Sequence, residues 1–264
     1  QGASTSWKFA CIFFRNLENH YIRNISNLAA RIVIYAMTAM LLGLVFWQVG
    51  DYDVESLDNA KAQIVMGAGL FLAEASILLP FAQIGTFFFD KKVFAAENAL
   101  GLYEPWIYAI SQFLLEAWAI IICSFVQAVI AIPMIALWNP VWSPIESFLT
   151  MLCFFCLGGL VGNSVILLIS MISISQDVAF LCGAMYVTVG LACSGGFVPF
   201  ASMQSWIRWL QWISAIKYSL QAFVQTSFDG TNVTIVEELD LDRPDSITLN
   251  FVAQLGMFFI FAIS

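Results

Sequence analysis

Phe89–Glu104, FDKKVFAAENALGLYE, is a charged segment set between two long apolar runs, and how it is read decides the fold. Apolar runs of this length span a bilayer, and their polar connection cannot stay in hydrocarbon, so the segment must emerge into water. Lys91 and Lys92 place it on the cytoplasmic side by the positive-inside tendency. Val93–Leu100 is compatible with a helix, and Gly101 is a good stop for a short one. The expectation is a helical knuckle under the membrane, where an outside motor can push.

Composition agrees with a membrane setting. The 264 residues are 61% hydrophobic and 11% charged, with mean hydropathy +0.85, outside the range of ordinary soluble domains. The formal net charge of −8 says little, because the acids cluster in particular loops; local charge is the useful quantity. Cys11, Cys123, Cys153, Cys156, Cys182 and Cys193 all lie in apolar segments and read as small core residues, so no disulfide framework is expected. The CxxC spacing of Cys153 and Cys156 sits mid-span with no second pair and no nearby His, which favours packing over metal, and no metal site is expected. The chain starts at Gln1 without Met, basic leader or cleavage site, and Ser264 interrupts an apolar run, so it reads as cut from a longer protein.

Outward from the knuckle, Ser4–Leu28 puts Trp7, Cys11, Phe14, Leu17, Tyr21, Ile25 and Leu28 at three- and four-residue spacing, the pattern of an amphipathic helix. Residues 1–28 are taken as an interfacial helix; a helix buried against a soluble partner is the competing reading. His20, the single histidine, reads as an interfacial polar residue. With Lys8, Arg15, Arg23 and Arg31 ahead of the first span at 29–49, the N-terminus is inside, and the acidic 50–62 is an outer loop. The second span, 63–89, contains Glu74 and Pro80. An acid within a membrane costs a few kcal/mol, so Glu74 either faces protein or a watery cavity, or lies shallow enough to reach headgroups or pair with a neighbour. The third span, 105–137, holds Glu116, read as structurally paired, and Pro133 at its outer end. The fourth, 145–171, carries Gly158, Gly159 and Gly162, small surfaces that permit close helix contact. The fifth covers 178–198. After it, Trp206, Trp209, Trp212, Lys217 and Tyr218 make an aromatic-rich piece suited to the outer interface and expected to dip back into the outer leaflet. Asn232 begins an N-glycosylation sequon in the acidic stretch that follows, and a last span, 247–264, is cut off. The fold class is thus an all-α membrane protein of six transmembrane helices, with an N-terminal interfacial helix, an extracellular re-entrant segment, a truncated last helix and both termini cytoplasmic.

No GxxxxGK[ST] phosphate loop occurs, and neither does HExxH or GxSxG, so the chain carries no recognisable ATPase or catalytic constellation. Basic residues are few and scattered, which argues against nucleic acid.

The stretch KKVFAAENALGLYEPWIYAISQFLLE resembles the first intracellular loop and following helix of subfamily G of the ABC transporters, the white or pleiotropic-drug-resistance type. Phe94, Glu97, Gly101, Tyr103 and Tyr108 fill that pattern. SGGFVPFASMQSWIRWLQWISAIKYSLQAFVQTSF resembles the family's re-entrant segment through Trp206, Trp209, Leu210, Ser214, Tyr218, Ala222 and Phe228. The resemblance implies an ABC-2 type, type V exporter-like transmembrane domain at 29–264 joined to the connecting helix at 1–28. It implies a nucleotide-binding domain on the same polypeptide that holds ATP and Mg, and a second membrane domain as homo- or heterodimer partner. It also implies alternating-access efflux of lipid-like or amphipathic molecules, in the plasma membrane of a eukaryotic cell. By the same resemblance the substrate cavity falls to Phe71, Glu74, Ala75, Leu78, Leu181, Met185 and Thr188, and the exit plug to Gly196 and Phe197. The coupling loop falls to Lys91, Lys92, Phe94, Glu97 and Tyr103. The competing classes are an ATP-independent channel, scramblase or scaffold, and another ABC-2 type lipid or glycan exporter.

Overall fold

A computed structural model describes residues 5–22, 25–51, 58–138, 143–198, 200–228 and 247–263, and these are helical apart from short turns. Among the described residues, four segments are long and apolar enough to cross a membrane: Ile25–Val45, Asn59–Ala99, Pro105–Ile135 and Pro144–Ile172. Gln176–Ala192 and Leu249–Phe258 are shorter apolar helical stretches. In chain order the helices are α1 (Thr5–Leu17), α2 (Ile25–Val45), α3 (Asn59–Leu78), α4 (Ile84–Ala99), α5 (Pro105–Ile135), α6 (Pro144–Ile172), α7 (Gln176–Ala192), α8 (Ala215–Phe228) and α9 (Ile247–Ile263). A π-helical turn, Glu18–Ile22, follows α1, and a 3-10 turn, Leu79–Gln83, separates α3 from α4.

The centre of the bundle is α6, which touches α3, α5, α7, α8 and α9. Lipid is as apolar as leucine, so helices hold together in it by close packing and polar links rather than by the hydrophobic effect. Both devices are present. A Cβ on Gly159 would stand 2.8 Å from Ile120 Cγ2, and one on Gly162 would stand 2.6 Å from the Ile77 carbonyl oxygen, so these glycines set the approach of α6 to α5 and α3. Between α3 and α5, the Ser76 hydroxyl donates to Leu72 O at 3.0 Å and lies 3.2 Å from Gln127 Oε1, while Gln127 Nε2 donates to Leu72 O at 3.4 Å. α6 starts at a capping box, with Glu146 N donating to Ser143 Oγ at 3.3 Å and Ser143 N donating to Glu146 Oε2 at 3.1 Å.

Several expectations need correction. The knuckle is not a separate helix after the second span, because α4 runs without a break through Asp90, Lys91 and Lys92 to Ala99. Charges do not interrupt a helix. The interruption lies earlier, at the 3-10 turn, where Pro80 has no N–H to give. The fifth span stops at Ala192 rather than Val198, and the chain then bends through Gly195 at φ +89.

The third correction concerns the aromatic segment, which is built of short helical pieces as expected, but only its first part is exposed as an interface piece would be. Trp206, Trp209 and Trp212 are exposed on turns, including a 3-10 turn at Arg208–Trp212, whereas α8 is enclosed by α3, α6 and α9. Lys217 is buried there at 4% exposure because its ammonium lies 4.1 Å from the Trp212 ring centre, with the Phe200 and Tyr218 rings at 5.1 and 5.3 Å.

α1 packs on α5 through Phe9, Ile12 and Asn16 and leaves Trp7, Cys11 and Phe14 of the expected apolar stripe exposed. Cys153 and Cys182 are likewise on the surface rather than in the core, while Cys123 and Cys193 are buried.

Candidate functional site

The turn between α4 and α5 gathers the motif residues. Gly101 takes φ +65, a left-handed conformation that a side chain disfavours, and its N–H donates to Asn98 O at 3.0 Å as the helix closes. Glu104 is extended, and Pro105 opens α5 where a missing N–H costs nothing. The reversal stacks Phe94 on Tyr108 with ring centres 4.8 Å apart, and Tyr103 lies nearly parallel to Tyr108 at 6.1 Å. Ile12 of α1 and Ile107 of α5 are buried against this cluster.

Glu97 is gripped from two sides. Arg15 of α1 donates through both terminal nitrogens, at 2.8 and 2.9 Å, a bidentate fork, and the Tyr103 hydroxyl donates to the same carboxylate. Glu97 lies beyond the apolar run that ends at Phe89. Partial burial pushes its carboxyl up, but the hydrogen bonds from Arg15 and Tyr103 outweigh this and hold it below the usual range. Tyr103 is pushed up to about 12 by burial and by Glu97.

The two lysines separate. Lys91 Nζ donates to Met171 O at 2.9 Å and Ser170 O at 3.2 Å, at the C-terminal end of α6 where the carbonyls lack helical partners. Lys92 is exposed. The elbow therefore spends Glu97 and Lys91 on its own chain and turns Lys92, Val93, Leu100 and Leu102 outward.

A second charge pair ties α2 to α5. Arg31 Nη1 donates to Glu116 Oε2 at 2.8 Å with both residues buried, and Arg31 Nε donates to Asn27 Oδ1 at 3.1 Å. This is the structural partner expected for Glu116.

The residues assigned to a cavity fall on two touching helices, α3 and α7. On α3, Phe71 and Leu78 are exposed, Glu74 is half-buried and Ala75 is buried. On α7, Leu181 and Met185 are exposed at 65% and 67%, and Thr188 is exposed with its hydroxyl donating back to Ala184 O at 2.8 Å. Both sets thus lie largely on outer faces of the single chain, and the chain does not enclose them. Gly196 packs inward, where a Cβ would stand 2.9 Å from Leu70 Cδ2, whereas Phe197 is exposed. Of the two plug positions only Phe197 projects. Asn232 lies outside the described residues.

Residues 9–228 match the family described as ABC-2 type transporter. The chain belongs to that family. Among its relatives, ABC transporter G family member 22 of Dictyostelium discoideum is 28% identical over 81% of this chain and 33% of its own length. Pleiotropic drug resistance protein 1 of Nicotiana tabacum is 29% identical over 83% of this chain and 15% of its own length. ABC transporter G family member 12 of Dictyostelium discoideum is 24% identical over 96% and 37%. The chain thus spans little more than a third, or less, of the length of these relatives, and it is an ABC-2 type membrane domain. The family match takes in α1 from Phe9, the elbow and the α3–α7 faces. Sequence reasoning picked out the elbow of this domain but missed Arg15 as the partner of Glu97. The basic face of α1 was the available signal, and its distance along the chain hid the pairing.

Proposed function

We propose that this ABC-2 type domain is the membrane part of an ATP-driven subfamily G exporter that moves lipid-like or amphipathic molecules by alternating access. In this reading α2, α3 with α4, α5, α6, α7 and α9 are six spans with cytoplasmic termini, α1 lies at the inner interface, and the segment before α8 is re-entrant from outside. In this reading ATP and Mg are held by a nucleotide-binding domain elsewhere on the polypeptide; the absence of a GxxxxGK[ST] phosphate loop from this sequence is compatible with that. Two membrane domains pair so that the outer faces of α3 and α7, with Phe71, Glu74, Leu78, Leu181, Met185 and Thr188, wall a shared cavity.

The observation that carries the reading is the bidentate Arg15–Glu97 bond. It fastens α1, the helix nearest the N-terminal end of the chain, to the tip of the rod whose other half is α3. Force applied to the exposed face of Lys92, Leu100 and Leu102 reaches α3 through one helical rod and reaches α5 through the Phe94–Tyr103–Tyr108 stack.

The test compares substrate-stimulated ATP hydrolysis by the full-length protein in lipid vesicles, wild type against Glu97→Ala. Coupling through the elbow requires that stimulation fall while assembly and basal hydrolysis persist. Unchanged stimulation removes the elbow from the mechanism, and no ATP hydrolysis by the full-length wild type favours a channel or scramblase.

A further inference from the structure

A small pocket of about 20 Å³ lies where the 3-10 turn Arg208–Trp212, the first turns of α8 and the start of α9 come together. Gln211, Lys217, Gln221 and Asn250 line it, along with the rings of Phe200, Trp212 and Tyr218. The space holds one water-sized particle. Its amides are the unusual part. Gln211 and Gln221 are buried at 7% and 6% exposure, yet among the described residues neither side-chain amide has a hydrogen-bond partner. Asn250, by contrast, gives Nδ2 to Gln225 Oε1 at 3.0 Å. A buried amide left without a partner is costly, so a group in the pocket that satisfies both glutamines is favoured.

Charge decides what that group is. Lys217 is the third residue of α8, so its ammonium stands at the helix end whose partial charge is already positive. The Lys217 backbone N–H donates to Ser214 Oγ at 3.3 Å, which fixes that first turn. The Trp212, Phe200 and Tyr218 rings shield the ammonium without neutralising it. An ammonium has three N–H donors, so a further acceptor can join whatever else it binds. A glutamine amide presents Nε2 as a donor simply by turning end for end. Cation, helix end and amides together favour negative charge in the pocket.

We infer that this pocket binds one small monovalent anion, a halide such as chloride, between the Lys217 ammonium and the amides of Gln211 and Gln221. A sulfate or phosphate is too large for the space, and a metal cation would meet the ammonium. The site joins α8 to α9 and to the 3-10 turn, so its occupant stabilises the fold where these three meet. The inference needs neither a second copy nor ATP, and it stands or falls apart from export.

The test follows thermal unfolding of the full-length protein in nanodiscs while sodium gluconate is exchanged for sodium chloride or bromide at fixed ionic strength. Halide is expected to raise the unfolding temperature by about 2–4 °C, the gain growing with the logarithm of its concentration. Gln221→Leu keeps the size of the side chain and removes the amide, and it should lose the halide gain while unfolding normally in gluconate. Gln211→Leu makes the same test should the first variant fail to fold. Anomalous scattering from crystals of the protein grown in bromide should place one ion within hydrogen-bond reach of Lys217 Nζ. A halide gain that survives both leucine variants is a general salt effect and overturns the inference. Equal unfolding temperatures in all three salts, with no bromide at Lys217, overturn it in favour of a bound water. Indifference to halide, together with a fall in unfolding temperature when the acids of residues 229–246 are changed to amides, overturns it in favour of a carboxylate of the same chain.

Discussion

The two halves of the α3–α4 rod are held by different forces. α3 is held by contact: a Cβ on Gly69 would lie 2.2 Å from the Phe223 ring, and Gly162 of α6 sits against the Ile77 carbonyl. α4 is held near its tip by directional bonds from charged groups, with Arg15 and Tyr103 on Glu97 and Lys91 on the last carbonyls of α6. Close packing has little tolerance for a change in separation, because dispersion falls away within an ångström. Water-edge ion pairs are worth little individually and exchange partners cheaply. The body of the domain is therefore built to keep its shape, and the elbow to be re-tied.

The buried Arg31–Glu116 pair tests that division most severely, since it puts elbow-type chemistry inside the body. Removing one partner leaves the other charge buried alone. Arg31→Met is expected to cost about 3–5 kcal/mol, whereas Arg31→Met with Glu116→Leu should recover most of the loss. Thermal unfolding of the purified protein in nanodiscs ranks the three chains. A single variant as stable as wild type would show that this pair is solvated and belongs with the elbow.

Next in size is Gly162→Val. The atom opposing the new side chain is the Ile77 carbonyl oxygen, backbone rather than a movable side-chain tip, so the helices must separate. Overpacking of this kind costs about 1–3 kcal/mol. Gly67→Ala on α3 meets nothing within 4 Å and serves as the control. If both variants unfold alike, contact is not what holds α3.

How much of this was readable in advance follows the same line. Gly101 as a helix stop and the glycines of α6 are local signals, set by backbone conformation or by missing volume at one position, and the sequence displays them. The resemblance at Phe94–Tyr108 marked the elbow before its geometry was known. Arg15 and Glu97 are 82 positions apart, and Arg31 and Glu116 are 85 apart, so nothing local says which cation meets which acid. Lys217 misled in another way. A lysine among tryptophans reads as an interface residue, yet three rings shield the ammonium inside the bundle, and only the fold brings Phe200 to it. Pro80 was visible, but the charges at Asp90–Lys92 drew the break to the wrong place. Those side chains find water or partners without interrupting the backbone ladder.

The smallest effect belongs to the elbow. Glu97→Gln keeps the shape and removes the charge. With Arg15 side-chain exposure at 41% and that of Glu97 at 20%, solvent screening limits the cost to about 1 kcal/mol or less. The pH dependence separates this tie from simple packing. Because the folded-state carboxyl of Glu97 is held below its unfolded value of 4.5, its contribution is complete above that pH and is lost as the pH falls through the lower folded-state value. The unfolding temperatures of wild type and Glu97→Gln should therefore differ at neutral pH and converge only in acid below 4.5. A gap that stays constant into acid would mean that the charge of Glu97 contributes nothing. The elbow would then be held, like α3, by contact alone.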